Sequence, residues 1–126
     1  MKIVIYGASG HGKVVADIVS AMGAFELVGF VDDHAASQKM AVRGVPVLGG
    51  EEALSEILRK GVKGAVVAIG RNDARLRKAG LLEEMGFTLV SVVHPSAVLA
   101  GDVQIGDGTV VMAGVVVNSS ARIGSH

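Results

Sequence analysis

Gly7-Ala8-Ser9-Gly10-His11-Gly12 follows an apolar, β-branched run and opens a stretch of helical periodicity. A turn of that kind aims successive backbone N–H groups outward at the start of a helix, where the helix dipole favours an anion. Phosphate is the natural guest. Asp32 stands twenty residues after Gly12, where an acidic side chain at the end of the next strand accepts from a ribose hydroxyl. Asp33 follows it directly. Phosphate and ribose together point to a nucleotide. The spacing is G-x-x-G-x-G, however, and departs from the dinucleotide fingerprint G-x-G-x-x-G. Glycines that serve only a tight strand-to-helix turn stay open as a reading, as does Asp33 as a solvated strand-end acid.

A second cluster, Gly70, Asn72 and Arg75, follows the apolar run 65–69. Ligands of open α/β sheets bind outside the carboxyl ends of the strands, so this cluster is expected to face the first loop. Arg75 has the reach for a phosphate, or else lies exposed on its helix. The candidate substrate contacts are therefore Gly7, Ser9, Gly10, His11, Gly12, Asp32, Asp33, Gly70, Asn72 and Arg75. Of the four histidines, only His11 falls among them; His34 lies in a polar stretch, His94 precedes Pro95, and His126 is the last residue. No metal-ligand spacing occurs, and no cysteine is present, which excludes thiolate metal sites and a cysteine nucleophile.

The elements that must position these residues alternate strand and helix as far as residue 93. Strands are expected at Lys2–Tyr6, 27–31, 45–48, 65–69 and 89–93, with helices at 13–22, 51–60 and from Asn72, as N-cap, to Met85. Residues 35–44 read as a polar loop, and Gly61 and Gly86 stand where helices stop. Such alternation predicts a parallel three-layer α/β sheet, a Rossmann-like nucleotide-binding domain at 1–95. His94–Pro95 marks its end.

Beyond Pro95 the period changes to six. Leu99, Ile105, Val111, Val117 and Ile123 form an aliphatic ladder in hexads 97–102, 103–108, 109–114, 115–120 and 121–126. Small or β-branched residues open each hexad, and Gly106, Asn118 and Gly124 suit tight corners. A six-residue apolar repeat is what a hexapeptide β-helix requires, with three hexads to a triangular coil. A β-meander also satisfies the pattern, since a period of six contains a period of two. Five hexads make fewer than two coils, so 96–126 is expected to be the first part of a longer, truncated helix.

With 126 residues, half of them hydrophobic, and twelve basic against twelve acidic side chains, the composition is that of a folded globular chain. Neutrality removes any electrostatic argument for nucleic acid or an anionic membrane, and Tyr6, Phe25, Phe30 and Phe87 are too few for base-stacking platforms. No signal peptide is visible and no apolar stretch approaches the length of a membrane span, so a cytoplasmic protein is expected.

With YGASGHG at Tyr6–Gly12, FVDD at Phe30–Asp33, AIGRNDAR at Ala68–Arg75, VHPSA at Val93–Ala97 and VVNSSARIG at Val116–Gly124, the whole chain resembles the NeuD/PglD-like sugar O- and N-acyltransferases. The resemblance implies a left-handed β-helix after the Rossmann-like domain and acetyl transfer from acetyl-CoA to the amine or hydroxyl of a nucleotide-activated sugar. It places Gly10, His11 and Gly12 by the pyrophosphate of a UDP-sugar, and Asp32, Asp33 and the Gly70–Asn72 turn by its uridine or sugar. It also implies a homotrimer with acetyl-CoA between neighbouring helices. The family's catalytic histidine belongs to a later hexad, about a dozen residues beyond His126 by this register. The 126-residue chain is thus expected to bind substrate, to hold no catalytic residue and no metal, and to be inactive by itself. The alternative is a non-catalytic module that binds NAD or another dinucleotide.

Overall fold

The computed structural model describes residues 1–34, 41–99, 104–105, 108, 110–111, 116–117 and 122–123. β1 (Lys2–Tyr6) is the pivot of the sheet. Its side chains alternate between two cores, as a pleated strand buried on both faces requires. Ile3 and Ile5 meet Val15, Ile18 and Val19 on one side. Val4 and Tyr6 meet Leu54, Ile57, Ala79 and Leu82 on the other.

The first of these cores is capped by α1 (Gly10–Met22), which ends at Gly23 in the left-handed conformation. β2 (Glu26–Val31) then pairs parallel with β1. A bulge in that pairing places Gly29, rather than Val28, opposite Val4. A Cβ on Gly29 would stand 2.6 Å from Leu48 Cδ1, so the position accepts only glycine without repacking.

Residues 41–46 form a hairpin of β3 (Ala41–Val42) and β4 (Val45–Pro46). Its two turn residues, Arg43 and Gly44, both have positive φ (52° and 79°), as a type I′ turn demands. The sequence reading treats 41–44 as loop because a non-glycine residue in that conformation hides the turn; 35–40 lie outside the described residues. After β4 the chain runs beside the end of β2, with Val47 bridged to Phe30 and the Asp32 N–H donating to Gly49 O (2.9 Å).

A 3-10 turn at Glu51–Ala53 leads into α2 (Leu54–Arg59). β5 (Gly64–Val67), α3 (Asn72–Met85) and β6 (Thr88–Leu89) follow. The four-stranded sheet has the order β2-β1-β5-β6, parallel throughout. α1 carries the chain from β1 outward to β2, and α3 carries it from β5 outward to β6 on the opposite face. The two crossovers diverge between β1 and β5.

The run 89–93, read as one strand, is two. β6 closes the sheet, while β7 (Val92–Val93) pairs with β10 (Val110–Val111). β8 (Val98–Leu99) pairs with β11 (Val116–Val117), and β9 (Gln104–Ile105) with β12 (Arg122–Ile123). All three pairings are parallel, and each joins residues eighteen apart, as Val92 is to Val110. A meander would pair sequence neighbours antiparallel. These are three faces of a β-helix.

Val93 lies one hexad before Leu99, so six strands complete two coils where the sequence reading counted five hexads. The inward packing expected of the ladder side chains from Leu99 to Ile123, and the corners at Gly106, Asn118 and Gly124, lie outside the described residues. At the junction Val92 is wholly buried in the α1 core, with Val110 packed against it. His94 Nδ1 accepts from the Ser96 N–H (3.0 Å), closing the first corner of the coil.

Candidate functional site

In an open parallel sheet a crevice forms where neighbouring crossovers leave in opposite directions. Here that point lies between the carboxyl ends of β1 and β5, and the glycine-rich loop and the 70–72 turn stand on its two sides. The Gly7 N–H donates to Val31 O (2.7 Å), and the Ala68 N–H donates to Tyr6 O (2.8 Å). The two strand ends are in close contact: a Cβ on Gly7 would fall on Ala68 O, and Gly7 has a φ of 120°. A Cβ on Gly12 would fall on Gly7 O. Gly10 and Gly70 differ. Neither has a positive φ, and a Cβ on either would meet nothing within 4 Å. Gly7 and Gly12 answer to the fold; Gly10 and Gly70 leave room for a guest.

Ser9 takes the extended conformation that ends the turn, and its carbonyl accepts from the Lys13 N–H (3.1 Å). Its hydroxyl makes no capping bond, so no side chain closes the N-terminus of α1, whose Gly10 is exposed and His11 half-buried. In α3 Arg71, not Asn72, occupies the cap position, and it too lacks a side-chain cap. The Asn72 amide is engaged elsewhere, with Oδ1 accepting from Arg75 Nη2 (2.6 Å). The N-terminus of α1 thus presents uncapped N–H groups at the crevice, the arrangement that receives phosphate, whereas in the first turn of α3 the Asp73 carboxylate accepts from backbone N–H, that of Ala74 foremost. Arg75 is half-buried, lining a small cavity with Val67, Leu89 and Gly108, and its Nε is buried without a partner.

Asp32 anchors the loop. Its Oδ2 accepts from the Ala8 N–H (2.8 Å) and its Oδ1 from the His34 N–H (2.8 Å). Asp33 is the hub of a second network, which sequence reasoning misses. It accepts from the Tyr6 hydroxyl (2.8 Å) and from the Glu51 N–H (3.0 Å). Lys78 Nζ lies 3.1 Å from Asp33 Oδ2 and 3.1 Å from Glu51 Oε1, above the Tyr6 ring at 5.1 Å from its centroid. One signal was available: a tyrosine ending a buried strand needs a partner for its hydroxyl.

Burial raises the Tyr6 pKa far above the usual phenol value, and its bond to Asp33 adds to the effect. For Asp33 burial acts upward, but the Tyr6 hydroxyl, Lys78 and the Glu51 N–H outweigh it, and the carboxyl is held below its ordinary range. For Lys78 burial acts downward and is outweighed by Tyr6, Glu51 and Asp33, so the ammonium is raised. A raised folded-state pKa contributes stability that is complete below the unfolded value, about 10 for tyrosine and lysine, and lost as pH climbs toward the folded value. Tyr6 is the only tyrosine and there is no tryptophan, so the near-ultraviolet phenolate band reports this one group. We expect that band to appear only together with alkaline unfolding followed by circular dichroism. Phenolate formed at a pH of about 10 in a chain that keeps its native dichroism would contradict the network.

Among the described residues no group of three or more histidine, cysteine, aspartate or glutamate side chains is placed to hold a metal ion, and no helix is long and apolar enough to cross a membrane.

Residues 2–82 match the family described as the PglD N-terminal domain. The chain belongs to that family. Beyond the PglD N-terminal domain, the likeness continues through the coils. UDP-N-acetylbacillosamine N-acetyltransferase of Bacillus subtilis (strain 168) is 31% identical over 116 residues, 88% of this chain and 51% of its own length. A variant of perosamine N-acetyltransferase from Caulobacter crescentus, solved with CoA and GDP-perosamine, superposes with a TM-score of 0.92 at 39% identity, over 99% of this chain and 58% of that one. The acetyltransferase domain of PglB from Neisseria gonorrhoeae, solved with acetyl coenzyme A, gives 0.76 at 32% identity, over 98% of this chain and 64% of that one. The chain therefore spans about half the length of that Bacillus subtilis relative. These likenesses fix the fold class as a Rossmann-like α/β domain followed by a left-handed β-helix.

Proposed function

We propose that this chain is the sugar-nucleotide-binding part of an acyltransferase that moves an acetyl group from acetyl-CoA to the amine or hydroxyl of a nucleotide-activated sugar. One observation carries the reading: the uncapped N-terminus of α1 opens at the β1/β5 crevice, where Gly10 and Gly70 are the two glycines that folding does not require. A pyrophosphate would lie along Gly7, Ser9, Gly10, His11 and Gly12. The nucleoside or sugar would lie by Asp32, Asp33, Gly70 and Asn72, with Arg75 as a further phosphate contact. The sequence reading assigns residues 1–95 to this binding and 96–126 to the first coils of the acyl-transfer helix; since β7 already pairs with β10, we place the start of the coils at Val92.

In the complete reaction the sugar's nitrogen or oxygen attacks the thioester carbonyl, a general base takes its proton, and CoA leaves as the thiol. We assign no residue among these 126 to that base. A homotrimer holding acetyl-CoA between neighbouring helices is part of the same proposal and rests on the family resemblance; the cytoplasmic location is the expectation carried over from the sequence.

Calorimetric titration of the chain with a UDP-amino-sugar, a GDP-amino-sugar and NAD tests the reading. We expect saturable binding of a sugar nucleotide and no acetyl transfer at an enzymatic rate. Tight NAD binding without either sugar nucleotide would overturn it in favour of a dinucleotide-binding module.

A further inference from the structure

Lys78 stands midway along α3 and reaches three other segments. Its ammonium is 3.1 Å from Asp33 after β2, 3.1 Å from Glu51 in the 3-10 turn, and over the ring of Tyr6 at the end of β1. Only about a fifth of the side chain is exposed, 21%. Two carboxylates accept from it and the Tyr6 ring lies beneath it, so the ammonium is held by partners within the protein.

Its partners continue toward the loop. Asp33 holds the Glu51 N–H, and its chain neighbour Asp32 holds the Ala8 N–H at 2.8 Å, inside the glycine-rich turn. The Asp32 N–H in turn donates to Gly49 O, two residues before Glu51. A displacement of Lys78 therefore reaches Ala8 through two short routes, one along the chain and one through the 49–51 segment.

We propose that Lys78 is a positioning residue for this site: it ties α3 to the Asp32–Asp33 edge and so sets the place of the glycine-rich loop. The consequence for nucleotide affinity rests on the function proposed above; the geometric part does not.

The test compares wild type with Lys78→Met, which keeps the apolar stem, and Lys78→Arg, which keeps the charge. Amide signals of Ala8, His34 and Glu51 are followed by NMR without ligand, and UDP and GDP are titrated by calorimetry. In Lys78→Met all three amides should shift, and affinity for whichever nucleotide binds should fall about tenfold; Lys78→Arg should restore most of both. A Glu51 shift with Ala8 unmoved would overturn the proposal, as would wild-type affinity in Lys78→Met. If no form binds either nucleotide while Ala8 still moves, the functional reading fails and the positioning role is supported. Should Lys78→Met fail to fold, Glu51→Gln weakens the same tie from its exposed end, and an unmoved Ala8 there would count against it.

Discussion

Alanine at Gly7 or Gly12 should cripple the fold, whereas alanine at Gly10 should leave it intact and damage only binding. At Gly12 the new methyl falls on the Gly7 carbonyl oxygen, which is backbone and has no rotamer to yield. At Gly7 the methyl falls on Ala68 O and also meets a φ of 120° that L-residues rarely adopt. Overpacking and backbone strain each cost about 1–3 kcal/mol, so we expect a loss of roughly 3 kcal/mol or more at either position. Gly10→Ala has open space and an ordinary φ in the first turn of a helix, so stability should hold or rise by up to about 1 kcal/mol. The same methyl takes up room where we propose that the pyrophosphate binds, and affinity should fall about tenfold or more, as for a comparable steric misfit. Thermal unfolding and nucleotide titration of the three variants check this. Comparable destabilisation at Gly10 and Gly12 would show that all the glycines serve the turn alone.

Asp32→Asn should be far from conservative. Both carboxylate oxygens receive a backbone N–H, from Ala8 and from His34. An asparagine offers one oxygen and one NH2, so one of the two N–H groups must face another donor. Hydrogen bonds to a charged acceptor contribute about 1.5–3 kcal/mol each, and we expect a loss near 2 kcal/mol with the loop released from the strand end. Chemical denaturation measures the first effect, and faster amide exchange at Ala8 the second. Equal stability and unchanged exchange would remove Asp32 as the anchor of the loop.

Much of this fold was legible because its signals are local. KIVIY reads as a buried strand, and Gly86 stops α3 at a φ of 107° where a glycine was expected. The ladder of six was legible too, but its first step was not. Val93 sits in an apolar run that looks continuous with β6, and only its partner strand, eighteen residues away, assigns it to the coil. Asn72 was expected to cap α3 on propensity alone, and a neighbour four positions from the cap, Arg75, captures its amide instead. The Tyr6–Asp33–Lys78–Glu51 network joins residues 18 to 45 apart in sequence, and a lysine on a helix ordinarily signals only a solvated face. The loop and the two aspartates were visible as candidates; what holds them in place was not.

The eighteen-residue step between paired strands also makes the coil a measuring device. Each turn adds one strand spacing, about 4.8 Å, and returns the chain to the same face. Inserting eighteen residues would lift everything downstream by that distance without rotating it. Inserting six would lift it by a third as much and swing it to the next face. Any group mounted on a later turn is therefore indexed in height and azimuth relative to the crevice by residue count alone. Length changes of eighteen adapt the distance from the crevice to a later turn while leaving the crevice and the face unchanged.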